Sequence, residues 1–234
     1  MNAELTNDKR EVVILLHGVS LNRWFMRPIA RRLEAAGYDV LNLAYPSRRV
    51  PLEKLAADWL PAQLMKSGIQ SAQRVSFVAH SMGSLLVRHY VEHSCPKSLG
   101  RVVFIAPPNC GAELADSGQP KWLFKAVIGI NLQALGMSDD AFWRRLPPRV
   151  HYPVGTIAGT GHGNPFGRRL PNPNDGTVTV ESTRLEGATD SLELPWSHTA
   201  ILFHKRTADE ALHFLRHGRF DHGDPASDAG RSIH

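Results

Sequence analysis

The sequence predicts an α/β protein in which about six strands form one doubly wound, mostly parallel sheet. Strand-like runs alternate with helix-like runs along most of the 234 residues, and this alternation is typical of β-α-β units. The strand-like runs are almost continuously apolar, as expected for strands that helices cover on both faces. The length fits one domain of this class with a substantial core.

The first half of the chain shows the alternation clearly. Residues 11–18 (EVVILLHG) form a continuous apolar run that predicts a buried strand. Residues 22–37 place apolar side chains on one side of a helix, and Gly37 is a typical helix stop. Residues 38–45, which a proline follows, predict the second strand, and residues 52–69 predict the second helix.

The second half continues in the same way. Residues 74–79 predict a buried strand, and residues 83–93 predict a helix that starts almost at once. Residues 99–106 predict the next strand, which two prolines terminate. The remaining elements are two strands and a closing helix, at residues 154–160, 191–194 and 199–217.

One segment interrupts this alternation. Residues 111–150 contain no strand-like run, but residues 122–135 (WLFKAVIGINLQAL) form an apolar stretch of helical length. Because it follows a strand, we expect it at the sheet edge where active-site loops emerge, as a small helical lid or pocket wall. Trp122, Phe124 and Ile128 are then candidate substrate contacts. The alternative is an ordinary core helix.

The chain has one expected domain, residues 1–217, with the lid-like insertion inside it. Residues 218–234 are polar and rich in Gly, Asp and Ser, so we expect a disordered tail. Hydrophobic content of 42% and charged content of 21% are ordinary for a globular protein. The net charge is +5, but the basic residues are scattered in short clusters, so we expect no nucleic-acid partner.

The sequence also bears on location. The first ten residues are polar, and no apolar run approaches the ~18 residues needed to span a membrane. We therefore expect no secretory signal, no integral membrane segment and a cytoplasmic location. The two cysteines, Cys95 and Cys110, fall at opposite ends of the predicted sheet, so we expect free thiols.

Residues 75–83 carry the main functional motif. Ser81 lies on the turn between the predicted strand and the helix, with the small residues Ala79 and Gly83 two positions to either side. A serine in this context is typical of a nucleophile elbow, where a strained turn presents the hydroxyl above the sheet. The start of the helix adds unpaired N–H groups that favour an anion. The alternative is a serine in an ordinary strand–helix turn.

Four segments together resemble the α/β-hydrolase superfamily, and within it the small, compact bacterial lipases and esterases. They are H-G-V (17–19), A-H-S-M-G (79–83), N-D-G-T (174–177) and W-S-H-T (196–199). The resemblance covers residues 11–217 and includes P-P-N-C-G-A-E-L-A-D, which is similar to a P-N-x-G-S stretch of that group.

The resemblance implies a catalytic triad in the order serine, acid, histidine, which Ser81, Asp175 and His198 respect. In such a triad the histidine accepts the serine proton, and the carboxylate fixes the tautomer of the imidazole and stabilises the imidazolium. By the same resemblance, the backbone N–H groups of Val19 and Met82 would form the oxyanion hole.

Other residues remain alternatives for these roles. His162 follows a predicted strand and is the main rival as the base. Asp190 is the rival acid, while Asp139 and Asp140 fall in the proposed lid. Asp175 itself could belong to a plain Asp-Gly turn.

The implied chemistry is acyl transfer on a small-molecule ester or lipid-like substrate through an acyl-enzyme, with no cofactor and no metal. The same triad could serve a thioesterase, an amidase or an acyltransferase, and the fold also hosts non-catalytic binding proteins. The residues leave the oligomeric state open.

Overall fold

The computed structural model describes residues 11–94, 96–113, 128–161 and 167–223. Its centre is one six-stranded sheet in the order β2-β1-β3-β4-β5-β6, in which every neighbouring pair is parallel. The predicted fold class is therefore confirmed. The strands are β1 (Glu11–Leu16), β2 (Asp39–Leu43), β3 (Arg74–His80), β4 (Leu99–Ile105), β5 (Val154–Gly159) and β6 (Asp190–Leu194).

Helices cover both faces of the sheet. One face packs against the first and last helices through residues such as Leu33 and Phe214, and the other packs against the central helices through residues such as Leu55 and Leu85. Among the described residues, the α-helices are α1 (Arg27–Glu34), α2 (Leu52–Lys54), α3 (Leu60–Lys66), α4 (Met82–Ser94), α5 (Leu132–Leu135), α6 (Val180–Thr183) and α7 (Lys205–His217). Because all strands are parallel, their carboxyl ends share one edge of the sheet.

Three helices differ in detail from the predicted spans. The first begins with a 3-10 turn, Arg23–Met26, before α1. A π-helical turn, Leu55–Trp59, joins α2 to α3, and the helix ends at Lys66 rather than at residue 69. The closing helix is a 3-10 turn, Ala200–Phe203, followed by α7.

The described part of residues 111–150 is helical and partly buried. It contains the 3-10 turn Gly129–Asn131, then α5, and a second 3-10 turn at Phe142–Arg145. Buried Asn131 ties this segment to the loop after β2: its amide donates to Ser47 O at 2.8 Å, and its Oδ1 accepts from Leu52 N at 2.8 Å. A lid function for the segment stays a prediction.

One of the three candidate substrate contacts lies among the described residues. Ile128 is half-buried and packs against the core that contains α4. Trp122 and Phe124 lie outside the described residues.

The start of the expected tail is packed on the domain. Phe220 is 2% exposed, its ring lies 5.0 Å from that of Phe214, and its N–H donates to Asp190 Oδ2 at 2.8 Å. Residues 218–223 thus differ from the predicted disordered tail, and residues 224–234 lie outside the described part of the chain. Among the described residues, no helix is long and apolar enough to cross a membrane.

Candidate active site

Ser81 occupies a strained turn between β3 and α4. Its φ of +52° lies in the left-handed region, which a residue with a side chain seldom adopts. Two neighbours hold the backbone there: Ser81 N donates to Ile105 O at 2.9 Å, and Ser81 O accepts from the N–H of Ser84 at 2.9 Å. The main chain of Ser81 is therefore held at the carboxyl edge of the sheet.

The small residues around the serine permit a close approach of α4 to β1. A Cβ atom on Gly83 would lie 2.8 Å from His17 O and 2.9 Å from Leu16 O, so only glycine fits without displacement of backbone. Ala79 is fully buried, and the fold accommodates its methyl group. The requirement for glycine at position 83 thus has a direct steric cause.

The three residues of the implied triad form one chain of hydrogen bonds. His198 Nε2 lies 3.0 Å from Ser81 Oγ, and His198 Nδ1 lies 2.7 Å from Asp175 Oδ2. A carboxylate can only accept, so Nδ1 carries the proton and Nε2 is left to accept from the hydroxyl. The imidazole is in the tautomer that general-base chemistry requires.

The carboxylate of Asp175 is buried and is held by backbone hydrogen bonds. Its side chain is 0% exposed. Its second oxygen, Oδ1, accepts from Thr177 N at 2.9 Å and from Val178 N at 2.8 Å. The Asp-Gly turn therefore exists, and it serves to orient the carboxylate rather than to compete with the contact to His198.

Both backbone polar groups of His198 are also engaged. Its N–H donates to Asp175 O at 2.9 Å, and its C=O accepts from the Nε2–H of His80 at 2.8 Å. His80 is 1% exposed, and burial holds the pKa of its imidazole well below the usual value, with the nearby His198 adding to that effect. His80 is accordingly a neutral donor.

The loop that follows β1 is fixed by residues at the end of β2. The hydroxyl of Tyr45 donates to His17 O at 2.5 Å, and its ring stacks on that of His17 at 4.2 Å between centroids. Ser20 N donates to Ser47 Oγ at 3.1 Å. Burial lowers the pKa of His17, so its ring is neutral too. In the sequence, Tyr45 marks only the end of a predicted strand, and no motif points to Ser47.

Val19 and Met82 are the two residues whose amides were expected to form an oxyanion hole. Met82 is the first residue of α4, where backbone N–H groups have no partner within the helix. Within the described ranges, the N–H groups of Val19 and Met82 make no hydrogen bond to protein. Both amides therefore keep a donor that no described protein group occupies, as an oxyanion hole requires.

The rival residues lie away from this site or outside the described part of the chain. Asp190 begins β6, at the opposite end of the strand from the site, and accepts from Phe220 N and from His222. Asp139 and Asp140 are exposed, and Asp140 accepts from Gln133. His162 lies outside the described residues.

Other chemistries find little support in the described residues. No group of three or more metal-ligating side chains occurs among them. Cys110 has a free, exposed thiol whose pKa is raised by partial burial, and Cys95 is not among the residues described.

Comparison with known proteins shows the family to which the chain belongs. The family model described as "Alpha/beta hydrolase family" matches residues 13–226, which is most of the chain. The chain belongs to the α/β-hydrolase family. A search among curated protein sequences finds no match.

Several solved structures of this hydrolase class share the fold. The mature lipase BlEst2 of Bacillus licheniformis is 22% identical with a TM-score of 0.72, and the alignment covers 92% of this chain and 96% of that one. The esterase Pf2001 of Pyrococcus furiosus is 19% identical with a TM-score of 0.61, covering 90% of this chain and 84% of that one. The lipase B of Aspergillus fumigatus is 17% identical with a TM-score of 0.67, covering 95% and 55%.

Proposed function

We propose that this α/β-hydrolase cleaves carboxylic esters through a covalent acyl-enzyme. The observation that carries the proposal is the hydrogen-bond chain from Ser81 through His198 to Asp175, with the serine on a turn of positive φ. This is the arrangement that an activated nucleophile needs: a base in contact with the hydroxyl, and a carboxylate that orients the base.

The reaction proceeds in two halves. Ser81 Oγ attacks the ester carbonyl carbon while its proton passes to His198 Nε2, 3.0 Å away. The resulting imidazolium is stabilised by Asp175, and it gives the proton to the departing alcohol as the acyl-enzyme forms. Water then attacks the acyl-enzyme with His198 as base, and Ser81 leaves with its proton restored.

The negative oxygen of each tetrahedral intermediate needs fixed donors. We assign this role to the backbone N–H groups of Val19 and Met82, because neither has a protein acceptor within the described residues. Met82 follows Ser81 in the chain, and a Cβ on Gly18, the residue before Val19, would lie 3.0 Å from Ser81 Cβ. One such donor typically contributes about 3 kcal/mol to transition-state stabilisation. The positive end of α4 adds to this effect at Met82.

The acyl group is expected to be apolar. The stretch 122–135 motivates this preference, because a hydrolase of polar esters needs no such segment. The names of the similar structures, two lipases and an esterase, also favour an ester over a thioester or an amide.

The test is hydrolysis of p-nitrophenyl esters from acetyl to palmitoyl by wild type, Ser81→Ala and Ser76→Ala. Ser76 is a matched control: it is a buried serine on the same strand, and its Oγ accepts from Arg101 N far from the site. Loss of the nucleophile should lower kcat about 10⁴-fold or more, whereas Ser76→Ala should retain kcat.

Three outcomes are distinct. Turnover that depends on Ser81 supports the proposal, and the preferred chain length separates an esterase from a lipase. If a fluorophosphonate labels Ser81 but no ester is hydrolysed, the serine is a working nucleophile with a different reaction. The substrate would then be a thioester or an amide, or the acyl group would pass to an acceptor other than water. If neither turnover nor labelling is observed, the enzyme proposal fails and a binding protein on this fold remains.

A further inference from the structure

The side chain of His80 lies between two parts of the candidate active site: the turn that carries His198 and the loop that carries Val19. Its ring is buried beside His198, with 4.8 Å between the ring centroids. A Cβ atom on Gly18 would lie 2.7 Å from His80 Nδ1, so the same ring also supports the loop that carries Val19. One side chain thus contacts the backbone of the proposed base and the loop of the proposed oxyanion hole.

The contact with His198 is directional. A carbonyl oxygen can only accept, so the 2.8 Å separation from His80 Nε2 to His198 O requires the proton on Nε2. The other nitrogen, Nδ1, is buried and has no hydrogen-bond partner in the described part of the chain. The ring is therefore in one defined tautomer, with its single donor aimed at the main chain of the base.

His198 needs this support because it lies in a turn rather than in a helix or strand. Its N–H is bonded to Asp175 O and its C=O to His80, so one bond comes from the acid residue and the other from the neighbour of the nucleophile. These two contacts fix the peptide groups on either side of the imidazole, and hence the direction in which Nε2 points.

We infer that His80 is a positioning residue: its Nε2–H holds the main chain of His198 so that the imidazole faces Ser81 Oγ. The inference rests on the proposed function and adds a fourth side chain to it. Neutrality of His80 suits the role, because a charged ring at this distance would oppose formation of the His198 imidazolium.

The test compares two replacements of similar length. His80→Gln keeps an amide N–H near the place of Nε2, whereas His80→Met fills the space with no donor. His80→Met should lower kcat, and the rate of fluorophosphonate labelling of Ser81, on the order of 10- to 100-fold with KM little changed, since misplacement of a catalytic group by about 1 Å has an effect of this size. His80→Gln should restore most of the loss. His93→Met, an exposed histidine on α4, is the control.

Equal losses in His80→Gln and His80→Met, at equal melting temperatures, would overturn the inference, because the ring volume and not the donor would then matter. Wild-type kcat in His80→Met would also overturn it.

A second measurement does not depend on the variants folding. A long-range ¹H–¹⁵N spectrum of the wild-type histidines should show His80 as the Nε2–H tautomer, and an Nδ1–H tautomer would contradict the assignment. If wild type itself shows neither turnover nor labelling, the proposed function fails, while this spectrum still decides whether His80 donates to His198.

Discussion

Replacement of Asp175 by asparagine tests the proton assignment in the candidate site. An amide has one oxygen and one NH₂ group, so it can enter the site in two orientations. With its oxygen at the position of Oδ1, it still accepts from Thr177 N and Val178 N, 2.9 and 2.8 Å away. The reverse orientation sets the NH₂ group against both of these buried donors, at about 1–3 kcal/mol for each unsatisfied group. The first orientation is strongly favoured.

In that orientation the NH₂ group faces His198 Nδ1 across the 2.7 Å contact. Nδ1 must then accept, and the imidazole proton moves to Nε2. An Nε2–H group cannot take the proton of Ser81, so kcat should fall about 10⁴-fold. KM should change little, because Asp175 is buried behind the imidazole and does not line the surface that a substrate meets.

The assay is steady-state hydrolysis of a p-nitrophenyl ester with Asp190→Asn as the control. Asp190 is the rival acid, at the far end of β6, and the same change there should leave kcat within about twofold. A kcat for Asp175→Asn within tenfold of wild type, or an equal loss in Asp190→Asn, would refute the assignment.

Three further predictions concern the residues around the site. Gly83→Ala should lower the free energy of unfolding, measured with urea, by about 1–3 kcal/mol, because the new Cβ would lie 2.8 Å from His17 O. Tyr45→Phe removes the donor to His17 O, and should lower the same quantity by about 1 kcal/mol. Burial lowers the pKa of both His17 and His80, so the unfolded chain binds more protons than the folded one below about pH 6.5. The melting temperature should therefore fall as the pH drops from 7 to 5, with up to about 1.4 kcal/mol lost per pH unit for each histidine.

Each of these three predictions would be contradicted by a specific result. Unchanged stability of Gly83→Ala would mean that α4 can move away from β1 without cost. A Tyr45→Phe protein as stable as wild type would assign the contact to ring stacking alone. A melting temperature that is constant or rises between pH 7 and pH 5 would show that the buried rings of His17 and His80 bind protons as readily as in the unfolded chain.

Much of the fold follows from local pattern. Buried parallel strands produce continuous apolar runs, and for that reason all six strands were predicted within a few residues. The elbow is local too, since Ala79, Ser81 and Gly83 fall within five consecutive positions.

The contacts that orient the site are not local, and the sequence pattern gives no sign of them. Tyr45 reaches His17 from 28 positions away, and His80 reaches His198 from 118 positions away. The interruption between the 3-10 turn Ala200–Phe203 and α7 also coincides with a non-local contact. His204 lies at this point with an extended backbone, and its ring stacks on that of Trp196 at 3.8 Å between centroids. The π-helical turn Leu55–Trp59 is likewise invisible to a 3.6-residue periodicity.

The order of the site residues along the chain has a consequence for biosynthesis. Ser81 and His198 are separated by 117 positions, so at about 5–20 residues per second the proposed base is synthesised roughly 6–23 s after the proposed nucleophile. Throughout that interval the growing polypeptide carries an ordinary hydroxyl, because the imidazole that would activate it has yet to be made. Covalent labelling of Ser81 in arrested nascent chains, or during refolding, would therefore report the docking of the segment that carries His198 and not the formation of β1–β4.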